Sequence, residues 1–246
     1  MVGKRERYPF LQPLERDRRG DTTERVARVL KDAIVALDFA PGEFIDKALV
    51  CERLGVSRFP VSEALGRLAE EGLVEILPQR GTRAARIRLA EVREAMLIRR
   101  ALEAMVAEMA ASNLPRTAIA ELRANLADQQ VAVDHDDQPA FHVHDLAFHQ
   151  ILFDQLALAR VAAVVEASRA NVDRVRRLLS SPRRHAVTLE EHRAIVAAIE
   201  SGDAAQARQA MISHLDAVMD ELHRFSGSHP EVFAEAGAGG FRERVA

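Results

Sequence analysis

The stretch from residue 46 to residue 87, "DKALVCERLGVSRFPVSEALGRLAEEGLVEILPQRGTRAARI", leaves this chain few choices of fold. Asp46 can cap a short helix through Leu54, and Gly55 ends it. Ser57 can cap a second helix running to about Glu71, with Pro60 in the first turn, where a missing N–H is tolerated. Gly72 stops that helix. "LVEIL" and "RAARI" predict two short strands around "PQRGT". Val61, Ala64, Leu65 and Leu68 form the inward face of the second helix. Helix, tight turn, helix and β-wing make a unit that sets its second helix in a DNA major groove.

The flanking sequence extends this pattern. In "DTTERVARVLKDAIVAL", Asp21 is the expected N-cap, with Glu24 three residues on. Val26, Val29, Leu30, Ala33, Ile34 and Leu37 recur at helical spacing. Residues 1–20 carry six basic residues and little periodicity, so they are expected to form a mobile arm. From Leu89 onward the pattern predicts about six helices, near 89–112, 115–133, 138–156, 158–180, 188–201 and 203–225. Residues 226–246 are expected to be a flexible tail. The expected fold is mainly α, with a winged helix-turn-helix domain over 21–88 and an all-helical bundle over 89–225.

Bulk properties narrow the class. The 246 residues are 48% hydrophobic and 29% charged, as in globular proteins. Lys and Arg number 17 against 14 Asp and Glu over residues 1–88, and 17 against 23 over residues 89–246. A mildly basic front and an acidic back suggest two parts with different partners. Cys51 stands alone, which excludes an internal disulfide and cysteine-rich zinc modules. No apolar run approaches the roughly 18 residues of a membrane helix, and no signal peptide is visible. The expectation is a cytoplasmic protein without a membrane partner.

The bundle contains a second informative stretch, "HDLAFHQILF", from His144 to Phe153. It sets Asp145 and His149 four residues apart among apolar neighbours, so both point the same way from a helix. They either satisfy each other or hold a third object. His192 in "EEHRAI" and His214 in "MISHLDAV" lie on two further helices. One carboxylate and three imidazoles suit Zn²⁺, Ni²⁺, Mn²⁺ or Fe²⁺, with coordination positions left for water or a ligand. The alternative is that each histidine is simply hydrogen-bonded in the core. The other six histidines are read as surface or capping residues, with His142 placed to line a pocket.

The run "GVSRFPVSEAL…RL…EGLV…RGT" resembles the GntR family of bacterial transcription regulators. "IRRALE", "DLAFH", "EEHRAIVAAIESGDAAQAR" and "MISHL" resemble its FadR-type subfamily, whose ligand-binding part is the FCD domain. The match spans about residues 22–225. The resemblance implies a homodimer on a two-fold operator that a small organic acid modulates. It also implies that Asp145, His149, His192 and His214 bind a metal. Arg99 matches a basic position facing that site, where it could grip a carboxylate, although a helix-surface salt bridge is an equal reading. Asn171 is a further candidate for the effector site.

For DNA, Ser57 and Arg58 open the reading helix, where free N–H groups suit phosphate and arginine can hold guanine bidentately. Lys47 and the wing-tip Arg80 are placed for backbone or minor groove, and Arg67 lies further along. Ser62 stands where the family commonly has arginine, so the operator sequence of relatives does not transfer directly. The expected function is an operator-binding regulator, not an enzyme. A metal-dependent enzyme and a structural-metal dimerisation module are the alternatives.

Overall fold

A computed structural model describes residues 7–15 and 21–234. The chain divides into two compact units, residues 1–89 with 229–246, and residues 90–228.

The first unit contains three helices and a hairpin. Helix α1 (Thr22–Val35) starts at Asp21, whose carboxylate accepts the Thr23 N–H. Its Val26, Leu30 and Ile34 are fully buried, and each such side chain contributes about 1.5–3 kcal/mol. Helix α2 (Lys47–Leu54) starts at Asp46, which accepts the N–H groups of Ala48 and Leu49, and ends at Gly55 with φ +66°. Helix α3 (Arg58–Glu70) buries Val61, Ala64, Leu65 and Leu68, the inward face read from the sequence. Strands β1 (Val74–Leu77) and β2 (Gly81–Ala84) pair antiparallel, with Val74 opposite Ala84 and Leu77 opposite Gly81. The second strand lies two residues earlier than "RAARI", because the hairpin turns on Pro78–Arg80 with positive φ at Gln79 and Gly81.

Two segments expected to be loose are built into this unit. Tyr8 and Leu11 are buried. The Tyr8 hydroxyl accepts the Asp46 N–H at 3.1 Å and donates to the Phe44 carbonyl at 3.2 Å, while its ring meets Phe39 edge-on at 4.8 Å. The Leu14 N–H bonds the Leu54 carbonyl at 3.0 Å, satisfying the open end of α2. Residues 7–15 are therefore docked chain, and the rest of the expected arm lies outside the described residues. Similarly, Pro230–Val232 form a single 3₁₀ turn and Phe233 is buried. Phe233 bridges Ile87 in parallel, with Ile87 N–H to Val232 O at 3.1 Å and Ala234 N–H to Ile87 O at 3.0 Å. Of the expected tail, only residues 235–246 lie outside the described residues.

The second unit is a bundle of α4 (Leu89–Asn113), α5 (Arg116–Asp134), α6 (Gln138–Gln155), α7 (Ala159–Ser168), α8 (Ala170–Leu178), α9 (Pro182–Ser201) and α10 (Ala204–Ser228). Helix α5 packs along α6 and α9, and α9 packs along α10. Seven helices stand where about six were expected, because 158–180 divides at Arg169. There the Ser168 hydroxyl bonds back to the Val165 carbonyl at 2.8 Å and competes with the helical ladder. Helix α9 begins six residues earlier than expected. Ser181 caps it by accepting the Arg184 N–H, and Pro182 occupies the first position, so the proline starts the helix.

Candidate functional site

Asp137 caps α6 by accepting the Ala140 N–H, which sets the register that turns Asp145 and His149 inward. Helix α9 brings His192, and α10 brings His214. One ring nitrogen from each of His149, His192 and His214 lies within 4.8 Å of those of the other two. All three rings are buried, and Phe148 stacks on His192 with centroids 4.0 Å apart. Asp145 stands at the edge of this group. It is buried, and its Oδ1 lies 3.7 Å from His192 Nε2.

Each imidazole is held from behind. His149 Nδ1 meets Glu103 Oε2 at 2.6 Å, His192 Nδ1 meets Gln129 Oε1 at 2.8 Å, and His214 Nδ1 meets Glu191 Oε2 at 2.8 Å. The acceptors behind His192 and His214 assign the proton of each ring to Nδ1 and leave its Nε2 lone pair for something else. The Nε2 atoms of His192 and His214 and the Oδ2 of Asp145 are buried without a hydrogen-bond partner. Leaving such groups unmade costs about 1–3 kcal/mol each. Burial, then neighbouring imidazoles, push the pKa values of His192 and His214 well below normal, so both rings are neutral. A neutral imidazole whose far N–H is engaged by an acceptor has the form of a metal ligand. The donor set fits a divalent transition metal.

The carboxylates around the site are paired. Burial alone would raise the pKa of Glu103, but Arg99 and His149 hold it well below the usual range. Arg99 Nε donates to Glu103 Oε1 at 2.6 Å, and its Nη2 lies 3.5 Å from His149 Nε2. Arg99 is thus buried and directed to this site, whereas Arg100 points to Asp216 at the surface. Asp145 is likewise held ionised against burial, chiefly by Arg176, which donates to its Oδ1. Arg99, His149, Arg169, Asp173 and Arg176 line a cavity of about 20 Å³, room for about one water molecule.

Asn171 does not line that cavity. Its Nδ2 donates to Glu91 at 2.8 Å and its Oδ1 accepts from Arg174 at 3.1 Å, so its polar ends are spent tying α8 to α4. His185 is also not a surface residue. It is buried, stacked on Phe141 at 4.4 Å and within 2.8 Å of the Ser180 hydroxyl. His142 is half-buried on α6. The residues holding the imidazoles (Glu103, Gln129, Glu191) and the arginine on Asp145 were missed in the sequence. A glutamate or arginine in a helix ordinarily signals solvent, and only "IRRALE" offered a hint.

On the other unit, Ser57, Arg58 and Ser62 are exposed at the start of α3. Ser57 makes no side-chain cap bond, so its hydroxyl is available. Arg58 and Ser62 are four residues apart and share a face. Phe59, between Arg58 and Pro60, is 72% exposed and was not singled out from the sequence. Arg80 is exposed at the wing tip, and Lys47 is half-buried at the start of α2. Arg67 reaches Asp21 at 3.5 Å, which ties it to the start of α1.

A helix-turn-helix unit with a β-wing, followed by a helical bundle around three buried histidines, has the layout of a DNA-binding transcription regulator. Comparison with known proteins gives the family. Residues 22–83 match the bacterial regulatory proteins of the gntR family, and residues 94–217 match the FCD domain. The chain belongs to the GntR family of DNA-binding transcription regulators, in its FCD-containing branch. It is 34% identical to the HTH-type transcriptional repressor RspR of Escherichia coli over 86% of this chain and 93% of that protein. It is 36% identical to an HTH-type transcriptional regulator from an unstable DNA locus of Streptomyces ambofaciens, over 83% and 86%. Its fold is similar to E. coli McbR/YncC, with TM-score 0.71, 21% identity, and 84% and 99% coverage. A GntR regulator from a Rhodococcus species gives TM-score 0.67 at 28% identity, covering 82% and 97%. Among the described residues, no helix is long and apolar enough to cross a membrane.

Proposed function

We propose that the chain is a metal-dependent, effector-responsive repressor that binds a two-fold operator as a homodimer. Asp145, His149, His192 and His214 would hold one divalent transition metal, with zinc, nickel, manganese and iron all suited to the donor set. The observation that carries this reading is the convergence of unpartnered, buried Nε2 atoms whose rings are each fixed from behind. When bound, the metal supplies a positive centre that attracts a carboxylate oxygen. Arg99 supports the carboxylate reading because it lines the adjacent cavity, while Asn171, engaged with Glu91 and Arg174, is dropped from the effector set.

In the reading unit, Arg58 and Ser62 would meet bases, Ser57 and Lys47 phosphates, and Arg80 the flanking backbone or minor groove. Arg67 is the weakest of the six, since Asp21 occupies it. Repression as the sign of action follows the similarity to RspR. Homodimer formation is supported by Leu97 and Met105, which leave one face of α4 apolar and exposed.

The test is elemental analysis of untagged protein, with operator binding measured before and after chelation. The operator would come from sequencing genomic fragments that the protein retains. Near one equivalent of metal, and an effector response that chelation abolishes, is the expected result. Negligible metal, with none taken up on addition, refutes the metal centre.

A further inference from the structure

The site holds more arginine than a metal centre needs. Arg99 pairs with Glu103 and Arg169 with Asp173 at 3.0 Å, Arg184 pairs with Glu191 at 2.8 Å, and Arg176 donates to Asp145. Arg169 also reaches Glu166 at 3.0 Å and Arg184 also reaches Glu221 at 3.4 Å, so these two guanidiniums are shared, whereas Arg99 and Arg176 each pair with one carboxylate. The Arg99–Glu103 and Arg176–Asp145 pairs are buried or nearly so, where charge is poorly screened, and the other two are partly buried. A divalent cation on Asp145 would therefore meet a carboxylate already paired with a guanidinium, and Arg176 would oppose its charge at close range.

Arg176 is where that opposition is most direct. It shares the Asp145 carboxylate with the candidate metal. Its other terminal nitrogen, Nη1, is buried without a hydrogen-bond partner, and the residue lines the small cavity beside His149. A guanidinium with one nitrogen on Asp145 and one unpartnered is suited to receive an anion on the free side.

Resting on the metal reading above, we propose that Arg176 is the charge gate of the effector site. It neutralises Asp145 in the metal-free protein. It opposes the metal while no anion is present. It becomes the anion's partner when a small carboxylate enters. Metal and carboxylate then bind cooperatively because the anion cancels the charge with which Arg176 opposes the metal, and by reciprocity each strengthens the other by the same factor. Arg99, already engaged by Glu103, is left an orienting role.

The test uses the full chain and Zn²⁺, with affinity read by competition against a chromophoric chelator, with and without acetate. Acetate's own weak hold on zinc is subtracted. Arg176→Gln keeps amide donors for Asp145 but removes the charge, and Arg176→Met removes both. Without acetate, both variants are expected to bind zinc about tenfold more tightly than the parent, because the opposing charge is gone. Acetate should tighten zinc binding to the parent and have little effect on either variant. If Arg176 merely orients Asp145, its loss weakens zinc by about 10–100-fold, and that result overturns the gate. Unchanged zinc affinity overturns it equally. Should neither variant fold, a parent whose zinc affinity ignores acetate overturns it too. A parent that takes up no zinc refutes the metal reading and the gate together, whereas a zinc-binding parent with variants that do not tighten refutes the gate alone.

Discussion

Replacing Glu103 with glutamine preserves the shape of a buried side chain and removes its charge. The parent carboxylate accepts from Arg99 Nε at 2.6 Å and lies 2.6 Å from His149 Nδ1. Glutamine offers them one carbonyl oxygen, and its amide N–H₂ must face a donor. Arg99 then keeps its charge without its direct counterion. Breaking a buried pair from one side costs about 3–5 kcal/mol. Asp145 and Asp173 also attract Arg99, so the lower end applies, about 3 kcal/mol. At roughly 2–4 °C per kcal/mol for a protein of this size, the metal-free variant should melt about 6–12 °C below the parent. Its zinc affinity should fall by about 10–100-fold, because His149 loses the partner that fixes its tautomer and direction. Heat denaturation followed by circular dichroism gives the first quantity, and chelator competition gives the second. A metal-free variant melting within about 2 °C of the parent would refute the pairing argument. A full loss of stability with unchanged zinc affinity would show that Glu103 does not orient His149.

Three further outcomes are expected. Arg58→Ala should weaken operator binding by about 1–3 kcal/mol, measured by fluorescence anisotropy at fixed salt, while leaving weak binding to random DNA nearly intact. Phe233→Ala should destabilise the DNA-reading unit by about 3 kcal/mol in urea titrations, since it empties a buried aromatic site. Acid should destabilise the helical bundle. Burial, then Arg177 and Arg176, lower the His142 pKa from 6.5 to about 4, so between those values the unfolded chain takes up a proton that the folded chain refuses. The stability is fully present above pH 6.5 and declines as pH falls toward 4, and His142→Gln should flatten the slope of melting temperature against pH.

The features legible in the sequence are those fixed by short-range rules. Asp21, Asp46 and Gly55 announce helix ends because their chemistry acts on the adjacent turn. Val61, Ala64, Leu65 and Leu68 declare a buried face by spacing alone. His149, His192 and His214 were found because imidazole inside apolar helices is unusual. Their supports were not, since Gln129 meets His192 across 63 positions and Glu103 meets His149 across 46. Arg176 lies in "DRVRRLL", which is written like a solvated face, and its burial depends on packing between helices. Tyr8 and Phe233 escaped for a related reason. Each is a single anchor in a short segment with no period, so nothing local distinguishes it from a loose end.

The clasp of Phe233 on Ile87 also fixes an order of events during synthesis. Ile87 leaves the ribosome early, but its partner follows only after the whole helical bundle has been made. At about 5–20 residues per second, the intervening stretch of roughly 145 residues takes about 7–30 seconds. Throughout that interval the nascent DNA-reading unit lacks a buried aromatic and the backbone bonds at residue 87. A product broken off inside the bundle never acquires them. The last described turn of the chain thus acts as a completion mark. Fragments that carry the reading helix without a finished sensor start from a less stable fold, which exposes them to proteolysis before they can occupy an operator unregulated.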